Sequence, residues 1–273
     1  FMKIGFIISS GKYNYKPFRN QPLGALYLLT ILEERFSDRL DLSLIDLRGI
    51  SEENAIYHVS QKDIYFYSIA SIDFLETENI VKNLRKVYPK SKHIAGGPHI
   101  ELFPEDSLKI FDAISVGEGE ESIKRIIEDS FNSNLKKIYK QEEIIDLNSY
   151  PYPSRKYLPK SAVVDTGLLG GKYLNLPGTA VLFSRGCPFN CYFCSNLTHG
   201  LTRFRSPELI IQEIEYLKKE YQIEALAIKD DNSISTNEKM AKPILEAIAK
   251  TGIKWRGQSR ANGIYPDMVK LAK

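Results

Sequence analysis

The chain has 273 residues, 43% of them hydrophobic and 26% charged, and carries a formal net charge of +3. That composition describes a globular protein able to bury a real core, and the length suggests about two domains on a prior of ~150 residues each. The charge is too mild to point to nucleic acid or an anionic membrane, no apolar stretch nears the ~20 residues of a spanning helix, and no secretory signal opens the chain.

Phe1 reads as a foreign residue ahead of a natural start at Met2. Residues 3–9 form a short apolar run, consistent with a buried strand. Pro22 opens a helix in which Leu23, Leu26, Leu28, Leu29 and Leu32 recur at helical spacing. Strands follow at 41–46 and 63–69, then a helix over 75–88 ended by Pro89, then strands at 92–96 and 112–116. A helix through Ile123, Ile126 and Ile127 closes the series. Strands alternating with helices predict a doubly wound parallel sheet, an α/β domain over residues 1–130.

Ligands of such sheets sit beyond the carboxyl ends of the strands. Those ends hold Ser9 and Ser10, Ser68 and Ser71, Gly96-Gly97-Pro98-His99, and Gly117-Glu118-Gly119. Glycine lets backbone approach a bulky ligand. Each is also an ordinary turn residue, but four such ends together point to a nucleotide-like or corrinoid ligand. The acids of Gly117-Glu118-Gly119-Glu120 argue against a pyrophosphate fingerprint. His99 reads as an axial metal ligand or as a turn residue bonded to backbone, and the second is preferred because no partner ligand is visible nearby.

From 131 to 178 the alternation stops in favour of an extended, turn-rich linker containing Asn148-Ser-Tyr-Pro-Tyr-Pro-Ser, Pro159, Gly170, Gly171 and Pro177. A strand restarts at Thr179 and delivers all three cysteines of the chain, Cys187, Cys191 and Cys194. Clustered thiols without a disulfide framework fit a reducing cytoplasm. Three readings compete for them. Zinc would recruit His199 as a fourth ligand, but structural zinc sites build from separated ligand pairs. A redox pair of Cys191 and Cys194 would leave Cys187 idle. A cubic iron–sulfur cluster uses all three thiols and leaves one iron open to bind and activate a small molecule.

Cys187-x3-Cys191-x2-Cys194, with Phe193 before the last cysteine and Arg185-Gly186 and Pro188-Phe189-Asn190 around it, resembles the signature of the radical S-adenosylmethionine (SAM) enzymes. Gln21-Pro22-Leu23-Gly24-Ala25-Leu26, Gly96-Gly97-Pro98-His99, Val116-Gly117-Glu118-Gly119-Glu120 and Tyr150-Pro151-Tyr152-Pro153 are similar to the cobalamin-dependent class of that family. The resemblance implies a Rossmann-like cobalamin-binding domain over 1–130, a linker over 131–178 and the first half of a (β/α) radical SAM barrel over 179–273. It implies a [4Fe-4S] cluster on the three cysteines and cobalamin near Ser9, Ser10, Leu23, Gly24, Ser68, Ser71, Gly96, Gly97, Pro98, His99, Gly117, Glu118 and Gly119. The chain has no Asp-x-His-x-x-Gly, the sequence that supplies a cobalt ligand in other B12 proteins.

After the cysteines, Ser206-Pro207-Glu208 starts a helix, while Glu213, Glu215, Lys218, Lys219 and Glu220 read as its solvated face. Ala225-Leu-Ala-Ile-Lys is the next strand, Thr236 caps the next helix, and a third strand covers 253–258. On a β/α barrel the carboxyl strand ends form the active face. The resemblance assigns SAM to Phe193, Asp230, Asp231 and Asn232, with Gln258, Arg260 and Asn262 further on. A whole barrel of the family has six strand–helix units and this chain shows about three, so either it is a fragment of a longer enzyme, the preferred expectation, or the missing half comes from another chain.

The implied activity is reductive cleavage of SAM, hydrogen abstraction from an unactivated carbon of a small-molecule or peptide substrate, and radical C-methylation from methylcobalamin. A flavodoxin or ferredoxin would donate electrons. A ring-forming enzyme similar to the anaerobic porphyrin-ester cyclases is the runner-up, and a non-catalytic corrinoid- or cluster-binding module is a third reading.

Overall fold

A computed structural model describes residues 1–141, 143–194 and 200–272. The chain divides into two units with interleaved segments: Phe1–Ile145 with Pro151–Leu158, and Asp146–Tyr150 with Pro159–Lys273. No helix among the described residues is long and apolar enough to cross a membrane.

In the first unit β1 (Met2–Ile8), β2 (Leu40–Asp46), β3 (Ile64–Ser68), β4 (Lys92–Gly96), β5 (Ala113–Val116) and β6 (Ile138–Lys140) form one parallel sheet in the order β2-β1-β3-β4-β5-β6. The chain leaves β1 toward one edge and returns to place β3 on its other side. That reversal is the switch point at which doubly wound sheets take ligands. α1 (Leu23–Phe36) follows β1, α2 (Phe74–Val87) follows β3, α3 (Pro98–Leu102) and α4 (Pro104–Ser107) follow β4, and α5 (Gly119–Phe131) follows β5. α1 and α5 touch each other, whereas α2 and α3 pack with the sheet into a separate apolar cluster.

Strand side chains alternate between faces. Tyr65, Tyr67, Ala95 and Ile114 therefore meet Ile80, Val81 and Leu84 of α2 and Ile100 of α3. On the other face, Phe6 stacks on Phe66 with ring centroids 5.0 Å apart. β6 lies inside the segment expected as linker. It has three residues and only Tyr139 is buried, too little periodicity for a sequence signal.

Part of the linker belongs to this unit. Arg155 is fully buried; its Nε donates to Gln21 Oε1 at 3.1 Å, and Nη1 donates to the Pro153 carbonyl. The Ser154 N–H donates to the Thr30 hydroxyl at 2.9 Å.

The second unit contains α6 (Lys160–Val163), β7 (Gly178–Val181), β8 (Ser184–Arg185), β9 (Arg203–Phe204), α7 (Pro207–Tyr221), β10 (Ala225–Ile228), α8 (Glu238–Lys250), β11 (Lys254–Arg256) and α9 (Pro266–Ala272). β7, β10 and β11 are parallel in the order β11-β10-β7, with α7 and α8 as crossovers. Val181, Leu226 and Ile228 pack against Ile210, Ile214 and Leu217 of α7 and Ile244 and Ile248 of α8.

Ser206 caps α7 through Oγ, and its own N–H donates to Asn148 Oδ1 at 2.7 Å. Two expectations are corrected here. Asn237, not Thr236, caps α8, because its side chain reaches the Lys239 N–H at 3.1 Å. Glu213 is not solvated: it shares the buried stripe of α7 with Ile210, Ile214 and Leu217.

Candidate functional site

In the second unit the carboxyl ends of the strands converge on the cysteine loop. β8 and β9 pair antiparallel, Ser184 opposite Phe204 and Arg185 opposite Arg203, and so bracket the segment that carries the cysteines. The Gly200 N–H closes that segment on the Cys187 carbonyl at 3.1 Å, and the Cys194 N–H turns back to the Cys191 carbonyl at 3.0 Å. All three thiols are free; Cys187 and Cys191 are half-buried and Cys194 is exposed. Tyr192 and Phe193 also point to solvent, Phe193 at 92% exposure.

Among the described residues no three His, Cys, Asp or Glu side chains are arranged as a metal-holding set. Metal sites commonly close only as the metal binds. The donor set fits a cluster in its chemistry: three thiols within eight positions, none of them in a disulfide and none fully buried. His199, the fourth ligand of the zinc reading, lies outside the described residues.

Asp230 ties the base of this loop to β10. It is 2% exposed, and each carboxylate oxygen has a partner: Phe183 N–H donates to Oδ1 and Ser184 Oγ–H to Oδ2, both at 2.8 Å. Burial pushes its pKa up to about 6 against the pull of these hydrogen bonds. In this geometry Asp230 braces the strand entering the cysteine loop; the expected role at SAM would need a further lone pair.

Asp231 beside it is exposed. Asn232 is 2% exposed, and neither its Oδ1 nor its Nδ2 has a hydrogen-bond partner. Buried amides without partners are rare, and such a group marks a place where a ligand or water belongs.

The loops after β10 and β11 are clasped together. Ser233 N–H donates to the Gln258 carbonyl at 2.7 Å and Gln258 N–H donates to Ser233 Oγ at 3.1 Å. A Cβ on Gly257 would fall 2.6 Å from that Oγ, so glycine permits the clasp. Ser259 Oγ adds a bond to the Ile234 carbonyl at 3.0 Å. A cavity of about 240 Å³ opens beside them, lined by Ile228, Lys229, Arg256, Gly257 and Gln258. Arg260 turns away from this cavity onto the cysteine loop, while Asn262 lies exposed in the turn before α9. Sequence reasoning missed Ser184 and Ser233; nothing in their spacing announces partners 46 and 25 positions away.

In the first unit the ends of β3 and β4 are brought together. Ile69 N–H donates to the Gly96 carbonyl at 2.9 Å and His99 N–H to the Ile69 carbonyl at 3.0 Å. Gly97 has φ +99°, and a Cβ there would lie 2.7 Å from the Ile69 nitrogen and 3.3 Å from Ser68 Oγ. Gly97→Ala is expected to destabilise the first unit by roughly 2–5 kcal/mol, since backbone must move and the conformation disfavours a side chain. A lowered urea midpoint with unchanged slope checks this; an unchanged midpoint refutes it.

His99 is buried between Phe74 and Phe103, its ring centroid 4.0 Å from that of Phe74. Its Nδ1 is 2.9 Å from Ser71 Oγ, and its buried Nε2 has no partner. Burial holds its pKa below the ordinary range, so the ring is neutral at pH 7. The expected backbone bond to the imidazole is replaced by this serine contact.

At the switch point Ser10 is buried, its N–H and hydroxyl both donating to Glu76, at 2.7 and 2.9 Å. Ser9 lies beside Asp73, whose carboxyl burial pushes up. Glu76 was missed, although a carboxylate four residues before Ile80 on the apolar stripe of α2 was a readable signal. The ends of the sheet differ in how much room they leave. Gly119 is packed, since a Cβ would sit 3.2 Å from the Leu28 methyls, whereas Gly24, next to buried Leu23 on the first turn of α1, faces open space. Pro98 and Gly117 are exposed and Glu118 is half-buried. Small residues and bare backbone at neighbouring strand ends fit a large flat ligand.

The Radical SAM superfamily profile matches residues 181–232, the span from β7 through the cysteines to Asn232. An uncharacterized methyltransferase of Pyrococcus horikoshii is 28% identical over 92% of this chain and 58% of its own length. An anaerobic magnesium-protoporphyrin IX monomethyl ester cyclase of Cereibacter sphaeroides is 25% identical over 77% of this chain and 37% of its own. The cobalamin-dependent SAM radical enzyme OxsB, solved with aqua-cobalamin bound, superposes with a TM-score of 0.73 at 19% identity, covering 99% of this chain and 42% of that one. This chain spans about half the length of the curated relatives it matches.

Proposed function

We propose that this chain, which belongs to the radical SAM superfamily and has the fold of its cobalamin-dependent members, forms the cofactor-binding part of a radical C-methyltransferase. The observation that carries the reading is the loop of three free thiols, hung from the first strand of a parallel β/α series and preceded by a six-stranded parallel sheet. The unit of Phe1–Ile145 with Pro151–Leu158 would form the cobalamin domain, wider than the 1–130 read from the sequence because it takes in β6, and the unit of Asp146–Tyr150 with Pro159–Lys273 would hold half of the barrel.

When bound, a [4Fe-4S] cluster supplies the electron that cleaves SAM, and cobalamin carries the methyl group. The chain's own residues would do the rest. Cys187, Cys191 and Cys194 would hold the cluster, and β8 and β9 fix the ends of their loop. Asp230 keeps the loop's base in register with β10. Asn232 would offer its unpartnered amide, and Asp231 its carboxylate, to the amino acid end of SAM, with Phe193, Gln258 and Asn262 near it. In the first unit Gly24, Gly96 and Gly97 would let backbone approach the corrinoid, and the neutral His99 would present Nε2. Electrons would come from a flavodoxin or ferredoxin, in the cytoplasm, and the substrate would be a small molecule or peptide.

Methyl transfer is preferred because a relative matched over 92% of this chain is named a methyltransferase; the cyclase relative supports ring formation as the second reading. The test is anaerobic reconstitution with iron and sulfide, then incubation with SAM, a reductant and hydroxocobalamin. The expected products are methionine and 5′-deoxyadenosine, plus S-adenosylhomocysteine from methylation of the cobalt, with a changed visible spectrum of the bound corrinoid. S-adenosylhomocysteine missing while 5′-deoxyadenosine forms would favour the cyclase. An intact cluster without SAM cleavage would favour a binding module and overturn the enzymatic reading for this chain.

A further inference from the structure

Arg260 comes after β11, yet its guanidinium lies over the ring of Phe189, 3.9 Å from the centroid. Its Nη1 sits 4.0 Å from Cys191 Sγ, 69 positions earlier in the chain. Both contacts fall on the cysteine loop. We propose that Arg260 is a positioning residue of the cluster: it holds the loop through Phe189 and sets a fixed positive charge beside the Cys191 sulfur, raising the reduction potential of the cluster bound there. The inference rests on the cysteines being cluster ligands.

The physical argument concerns charge. Reduction adds one electron to a group already negative through its thiolates, so a nearby cation stabilises the reduced form more than the oxidised one. Charge and hydrogen bonding at the sulfurs are among the levers that set such potentials. Arginine suits the position because its charge persists at any accessible pH, and its flat guanidinium stacks on an aromatic face where an ammonium would not. The sequence resemblance assigned Arg260 to SAM; its contacts here assign it to the loop.

The step is simple in its balance. The cluster gains one electron from titanium(III) citrate, which is oxidised to titanium(IV), and no bond or proton moves. Wild type, R260Q, R260K and F189A are reconstituted anaerobically, their iron and sulfide counted, and each is titrated with titanium(III) citrate while the reduced cluster is followed by electron paramagnetic resonance. R260Q is expected to load and to shift the reduction equilibrium about tenfold toward the oxidised form, ~59 mV for a one-electron couple. F189A is expected to shift it in the same direction, because the guanidinium loses its platform. R260K, with charge but no stack, is expected to lie between R260Q and wild type.

Full iron content and a wild-type potential in R260Q would overturn the proposal. Weakened SAM binding at an unchanged potential would also overturn it, returning Arg260 to the SAM site. Should R260Q take up no iron, R260K decides: a loaded cluster near the wild-type potential supports the charge, and failure of both variants to load reduces Arg260 to a strut and overturns it. A wild-type chain that loads no cluster would remove the underlying reading, before any variant is compared.

Discussion

Replacing Cys187, Cys191 or Cys194 by alanine is expected to cut the iron retained after anaerobic reconstitution from about four atoms per chain to a small residue. The chain itself should stay folded. None of the three thiols is in a disulfide, Cys187 and Cys191 are only half-buried, and Cys194 is exposed. Far-ultraviolet circular dichroism and the urea midpoint should therefore match wild type, while iron, sulfide and the brown colour disappear together. The equal weight of the three positions is the discriminating point. A redox pair would spare Cys187, and a zinc site would show zinc and no sulfide by elemental assay. Unchanged iron in Cys191→Ala would sink the cluster reading, and with it the proposed function.

The second large effect concerns Asp230 and is visible in the pH dependence of stability. Its pKa rises from 3.8 to about 6 on folding, burial being the main cause. Between those values the folded chain keeps a proton that the unfolded chain has released. The contribution of this site to stability therefore declines as pH rises through the window from about 4 to 6, and is level above it. The size is on the order of 3 kcal/mol.

Asp230→Asn keeps an acceptor for the Phe183 N–H and cannot ionise, so the decline attributable to this site should vanish. Urea unfolding of both proteins between about pH 4 and pH 7 measures the difference, and parallel curves would refute the burial argument. Asp230→Ala removes the acceptors altogether and leaves the Phe183 N–H and the Ser184 hydroxyl unpaired, at ~1–3 kcal/mol each. Because those donors belong to the strand that enters the cysteine loop, iron retention should weaken as well.

Much of the fold is legible because buried parallel strands are apolar runs. Ile4 to Ile8, Ile64 to Tyr67 and Ala225 to Ile228 could hardly be anything else between helices of 3.6 period. β6 escaped because three residues with one buried side chain carry no period. The thiols were legible because their chemistry is set by residue type and spacing alone. The setting of Asp230 was not: the sequence shows an acid at a strand end, but only the fold brings the Phe183 amide to it. Arg155 is a similar case. An arginine in a proline-rich stretch reads as solvated, and its burial depends on Gln21, 134 positions earlier. The His99–Ser71 contact likewise needs two strand ends that are distant in sequence and neighbours in the sheet.

The interleaving of segments bears on how this protein can be divided. Residues 146–150 belong with the later unit, where Asn148 receives the Ser206 amide and the Tyr150 carbonyl receives Arg205. Residues 151–158 belong with the earlier one, through Arg155 and Ser154. No single cut leaves both halves whole. Ending the first piece at 145 strips it of its buried arginine, and ending it at 158 takes from the second the residues that anchor the start of α7. The two units are thus inseparable as clonable modules, and the coding sequence could be shuffled only as one piece.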